Sequence, residues 1–189
     1  PDIAAELAYR DAIISHVKNG VYGEMFMAAL ISAAFLTDDL NEMIQIALGQ
    51  IPARSRFAEM VQQMLQWRAK YNDWQATWEQ ISACYGKYFW VHTLNNAAVV
   101  LLALLYGEGD LPKSISIAVM SGWDTDCNGA TVGSIIGAMK GAKALPENWT
   151  GQFNDTLHSA VMGFDNTRIS DLAQRSWQTA QAVRARFSQ

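Results

Sequence analysis

Residues 24–36 read EMFMAALISAAFL, an almost wholly apolar segment at helical length. A helix that is apolar all round has no face to offer water, so the rest of the chain must wrap it. The longest purely apolar run, AAVVLLALLY at 97–106, is too short to span a bilayer. The chain must therefore gather its own helices into a core. With 189 residues, half of them hydrophobic, it has the material for one compact domain over 1–189.

The remaining pattern is helical too. Sustained period-2 alternation and hairpin dipeptides between apolar runs are both missing from the sequence. Residues 3–16 predict an amphipathic helix closing near Lys18-Asn19-Gly20, followed by a loop over 20–23 and the buried helix 24–36. Asp39 with Glu42 forms a capping pair for a helix over 40–49, stopped by Gly49 and Pro52. Helices are expected over 54–71 and 74–85, with a break at Asn72-Asp73. A further helix runs from Asn95 to Gly107 and Gly109, and another over 112–120 with Pro112 in its first turn. The last three are expected at 127–142, 155–162 and 169–186, giving a compact, multi-helix, all-α fold. Trp67, Tyr71, Trp74 and Trp78 are expected in the core, Cys84 as a buried small hydrophobe, and His92 and His158 as structural residues.

Charge narrows the function. Fourteen Lys and Arg against 18 Asp and Glu give a net charge of −4, without basic runs, which argues against nucleic acid or a membrane surface as partner. Two cysteines, Cys84 and Cys127, make neither a disulfide framework nor zinc-site spacing, and the first residues do not read as a signal peptide. A reducing cytoplasm is the expected location. The chain opens on Pro1 in sequence that already reads as helix, which predicts a piece cut from a longer protein.

The segment SGWDTDCNGATVGSIIGAMKG, 121–141, carries the chemistry. Gly129, Gly133, Gly137 and Gly141 fall on one helical ridge, and each interior glycine costs about 1 kcal/mol relative to Ala. That cost predicts a central helix approached closely by another backbone. Asp124 and Asp126 stand at the start of the same helix. From spacing alone two readings are open: the acids cap the helix and answer its dipole, or they hold a hard divalent cation through oxygen.

The run Gly122-Trp123-Asp124-Thr125-Asp126-Cys127-Asn128 resembles the C-terminal signature of the ADP-ribosylglycohydrolase family, a Gly-Gly-Asp-Thr-Asp-Thr string entering a small-residue helix. Ser15-His16 through Gly20-Val21-Tyr22-Gly23 into EMFMAALISAAF resembles the family's middle element. NNAAVVLLALLYGEGD and NDTLHSAVMGF…ISDLA are similar to bacterial members. The resemblance implies an all-α enzyme in which two magnesium ions (Mn²⁺ being the alternative) position ADP-ribose and a water. The bond cleaved joins the ribose to an acceptor such as a modified protein side chain. It also implies that Asp124 and Asp126 are catalytic metal ligands, Asp126 the bridging one, with Thr125 and Cys127 as the further metal-site residues of the signature. His16, Gly20, Tyr22 and Gly23 would lie against ADP-ribose or the ADP-ribosylated protein.

Two departures shape the expectation. Cys127 stands where the signature has Thr, and a thiol suits Mg²⁺ poorly. The family's N-terminal Gly-rich segment with its Glu, and its Thr-Asp-Asp-Thr motif, have no counterpart here, so the remaining ligands would belong to a missing N-terminal segment of the same protein. Thr37-Asp38-Asp39 does not substitute for them: it follows the middle helix, Leu40 replaces the last Thr, and Asp39 is already engaged as a cap. The resemblance equally admits a non-catalytic ADP-ribose binder, a crystallin-like structural protein, or a hydrolase of another nucleotide-linked or ribosylated small molecule.

Overall fold

The computed structural model of the chain describes residues 1–187. It divides into two compact units, Pro1–Leu145 and a smaller one that starts at Pro146. The first unit is built from α1 (Asp2–Ala12), α2 (Asn19–Ala33), α3 (Leu40–Leu48), α4 (Arg56–Lys70), α5 (Trp74–Tyr85), α6 (Thr93–Gly107), α7 (Leu111–Met120) and α8 (Thr125–Lys140). Helices are thus the only sizeable elements, and the all-α expectation holds. None of the described helices is long and apolar enough to cross a membrane.

The hub is α6. Thirteen of its fifteen residues are buried, and it packs against α2, α4, α5, α7 and α8. By contrast α2, expected to be wrapped on all sides, buries Phe26, Ala29, Leu30 and Ala33 but stops before Phe35 and Leu36, which are exposed. It also starts earlier than its glycines suggest, so 20–23 is helix and not loop. A Cβ on Gly23 would come within 2.5 Å of the Thr93 methyl and 3.1 Å of the Phe57 ring, and one on Gly20 would press on the His16 ring at 3.0 Å. Both glycines are there to let neighbours close in, and that packing offsets their poor helix propensity.

Starts and stops follow short-range chemistry. Asp39 accepts from the N–H groups of Asn41 (2.8 Å) and Glu42 (3.3 Å), while Glu42 takes the Thr37 hydroxyl at 2.7 Å. Ser55, Asp73, His92 and Asp110 cap α4, α5, α6 and α7 in the same way, each with a side-chain acceptor. Between α6 and α7 the chain turns through Glu108 (φ 56°) and Gly109 (φ 79°), and Gly107 lies so close to Ser114 that a Cβ there would overlap it.

Several expectations are corrected. The glycine ridge of α8 meets side chains and not another backbone: Gly129 faces Val119 and Ile115 at 3.4 and 3.8 Å, Gly133 faces Ile115 at 3.6 Å, and Gly137 faces open space. Nothing in the structure explains Gly137. Trp67, Tyr71, Trp74 and Trp78 are only half-buried, because the break between α4 and α5 turns them out of a common face. Cys84, on the outer side of α5, is exposed.

In the second unit no helix covers 155–162. Asn154 and Asp155 both take left-handed backbone angles (φ 47° and 52°), which ends any helix there. Instead β1 (Thr156–Leu157) pairs antiparallel with β2 (Thr167–Arg168), after the short helix α9 (Glu147–Thr150) and before α10 (Ile169–Phe187). His158 lies 3.8 Å from Asp165. Asp155 ties the start of α10: its carboxylate accepts from Ser170 N (2.9 Å), Ser170 Oγ (2.6 Å) and Arg168 Nε (3.0 Å). The Ser170 bonds, ahead of the Arg168 charge, hold this carboxyl below its ordinary range. A carboxyl lowered by folding adds stability that is present above its unfolded pKa and is lost as pH falls through the folded value. Acidification below the usual carboxylate range should therefore lower the amide protection factors, taken against the intrinsic exchange rate at each pH, in the first turn of α10, and Asp155→Asn should flatten that change; an unchanged profile in the variant would assign the effect elsewhere.

Candidate metal centre and cleft

The approach to α8 is a strained turn. Gly122 (φ 80°) is followed by Trp123 at φ 59°, a left-handed angle that costs a bulky residue about 1–2 kcal/mol. Two contacts hold it there: Trp123 stands edge-on to Trp78 with centroids 4.7 Å apart, and the next N–H, of Asp124, donates to Asn96 Oδ1 at 3.2 Å. Asn96 Oδ1 also receives Asn128 Nδ2 at 2.8 Å, while its own amide donates to the carbonyls of Trp90 (2.8 Å) and His92 (3.0 Å). One amide thus locks the first turn of α8 to the first turn of α6.

Asp124 occupies the N-cap position of α8, yet its carboxylate makes no cap bond. Five other helices, α3 to α7, use the acceptor in that place. Asp126 is exposed one residue into the helix, and Asp124, Asp126 and Cys127 hold their ligand atoms within 4.8 Å of one another. The Cys127 thiol bonds the Asp124 carboxylate; that bond, with the charges of Asp124 and then Asp126, keeps the proton on sulfur above the ordinary thiol range. Thr125 sits half-buried on the same turn.

These residues border a cleft of about 470 Å³. His16, Gly20, Gly23 and Glu24 supply one wall, Thr93 and Asn96 another, Asp124, Cys127 and Asn128 the third, over an apolar floor that includes Met27 and Phe57. Thus His16, Gly20 and Gly23, distant in sequence from Asp124, meet it here. His16 Nδ1 lies 2.8 Å from Ser15 Oγ and 3.4 Å from Glu24 Oε1. Tyr22 is the exception among the residues expected against ADP-ribose. Because 20–23 is helical, positions 20 and 23 share a face and 22 points elsewhere, into a separate hollow with Lys18, Arg54 and Arg56. Asp126 and Thr125 do not line the cleft itself; Asp126 belongs to its rim through Asp124. A second cavity of about 440 Å³ opens at the far ends of α6 and α8, with Asp38 and Asp39 in its wall, but there Arg68 already pairs with Glu108 (3.6 Å) and Asp39 is spent on its cap.

Asn96, Asn128 and Glu24 escaped sequence reasoning. A polar pair, Asn95-Asn96, opening the most apolar run of the chain was the available signal, since such a residue needs a partner once buried.

The ADP-ribosylglycohydrolase family model matches residues 1–186, both units included. The chain belongs to the ADP-ribosylglycohydrolase family. No curated protein and no solved structure matches it. ADP-ribosylglycohydrolases are typically metal-dependent, and the donor set here suits a divalent cation: two carboxylates free of capping duty at a helix N-terminus, with a third donor beside them. As the amide that seats this turn, Asn96 should matter to a cation without coordinating it. Asn96→Ala should weaken cation binding about 10- to 100-fold, the usual cost of losing a supporting partner of a metal ligand. Calorimetric titration with the cation checks this, and unaltered affinity would make the Asn96 bonds purely structural.

Proposed function

We propose that the cleft binds ADP-ribose attached to an acceptor, such as a modified protein side chain, and that the full-length protein hydrolyses the bond to the ribose with a divalent cation, Mg²⁺ in the family pattern. The observation that carries this reading is the Asp124 carboxylate, placed as a cap but taking no backbone N–H of the helix, and joined by Asp126 beside a cleft that His16 also lines. A cation held by such carboxylates polarises the oxygens it meets and eases deprotonation of a nearby water.

The chain's own residues then have separable tasks. Asp124 and Asp126 hold and orient the charge. Ser15 and Glu24 fix the His16 ring, which presents its remaining nitrogen to ligand hydroxyls. Met27, backed by the buried Phe57, sheds water from the apolar side of the cleft, which strengthens the polar contacts beside it. The glycosidic bond breaks as water adds at the anomeric carbon, and the acceptor leaves with a proton. The remaining ligands belong, in this reading, to a further N-terminal segment of the same protein, and the reaction to a reducing cytoplasm in which the exposed Cys84 and Cys127 stay thiols.

A second reading has its own observation. Cys127 beside the acids suits Mg²⁺ poorly, as would befit a binder that has lost turnover. Calorimetry with ADP-ribose, paired with an assay for release from an ADP-ribosylated protein, decides between them. Binding with cation-dependent release supports the hydrolase, binding alone the binder, and neither sinks both.

A further inference from the structure

Magnesium is the expectation for the family, but the donor set of this chain is not uniformly hard. Cys127 occupies the first turn of α8, exposed, with Sγ, an Asp124 oxygen and an Asp126 oxygen mutually within 4.8 Å. Oxygen pairs alone discriminate little among divalent ions, whereas a sulfur donor adds affinity for borderline cations and almost none for Mg²⁺. The three donors stand within four residues, on the N-cap and first turn of α8, with their ligand atoms already within 4.8 Å of one another. The turn is held from outside by Asn96 and by the Trp78–Trp123 contact. We infer that the centre takes a borderline divalent cation, of the Fe²⁺, Co²⁺ or Zn²⁺ kind, in preference to Mg²⁺, with Cys127 Sγ as a direct ligand. The inference rests on the metal reading of Asp124 and Asp126. Binding releases the thiol proton to solvent, and the bond formed is from sulfur to the cation; no oxidation is involved.

The second thiol, Cys84, is exposed and would confuse a spectroscopic test, so the experiment uses the Cys84→Ser chain as its background. Titration with Co²⁺ alone should produce a near-ultraviolet sulfur-to-cobalt charge-transfer band that is absent in Cys127→Ser and Cys127→Thr. The same substitutions should lower Co²⁺ affinity about 10- to 100-fold while leaving Mg²⁺ affinity within about threefold. Cobalt binding without the band, or with a band that survives Cys127→Ser, overturns the sulfur ligand but leaves the carboxylate centre standing, provided Asp124→Asn weakens it. Absence of any Co²⁺ or Mg²⁺ binding overturns both.

Discussion

On the proposed hydrolase reading, Asp126→Ala should cut cation-dependent release of ADP-ribose by about 100-fold or more. Losing a carboxylate that fixes the cation removes several kcal/mol of transition-state stabilisation, and each 1.36 kcal/mol is tenfold in rate. The alternative role makes a very different forecast. If Asp126 served only the helix, its charge in the first turn of α8 would be worth about 0.3–1 kcal/mol of stability and nothing in rate. The side chain is exposed and lies outside the cleft lining, so its removal leaves no hole in the core. Activity and unfolding free energy measured on the same variant therefore separate the two roles. Unchanged turnover with a small loss of stability would return the acid pair to helix support.

The Asp pair also shows how much of the site was readable. Sequence placed the acids at a helix start and left capping and cation binding open; the structure adds that Asp124 takes no backbone N–H of α8, against five working caps elsewhere. Capping chemistry is local, so Asp39, the break at Asn72-Asp73 and Pro112 were legible from a few neighbouring residues. Long-range packing is not local. Gly20 and Gly23 read as a loop because propensity disfavours them in helix, and the reason they sit in α2 lies with His16, Thr93 and Phe57. The α8 ridge failed in the opposite direction: glycine permits a close approach but does not require one, and Ile115 and Val119 fill the space with side chains. Asp155 lost its expected helix to a left-handed backbone and to Ser170, fifteen residues away.

Phe57→Ala should lower the unfolding free energy by about 3–5 kcal/mol, the range for emptying a buried aromatic site. The ring is fully buried, tilted against Phe26 with centroids 5.3 Å apart, and lies over Gly23, where no side chain can move in to refill the space. Its backbone N–H meets Asn19 Oδ1 at 3.1 Å, tying the start of α4 to the start of α2. The substitution leaves that bond in place, so the loss reports packing alone. Phe57→Leu, closer in volume, should keep much of the stability, because a buried large-to-small change costs in proportion to the cavity it leaves. Denaturant unfolding of both variants checks the pair. A loss below about 1 kcal/mol for the alanine variant would mean that the gap collapses, and that α2 and α4 are not held apart by this ring. Phe57 has no exposed surface to offer a ligand, so a loss of ADP-ribose affinity in the folded alanine variant would report movement of α2 at Gly23, and unchanged calorimetric binding would confine the effect to the core.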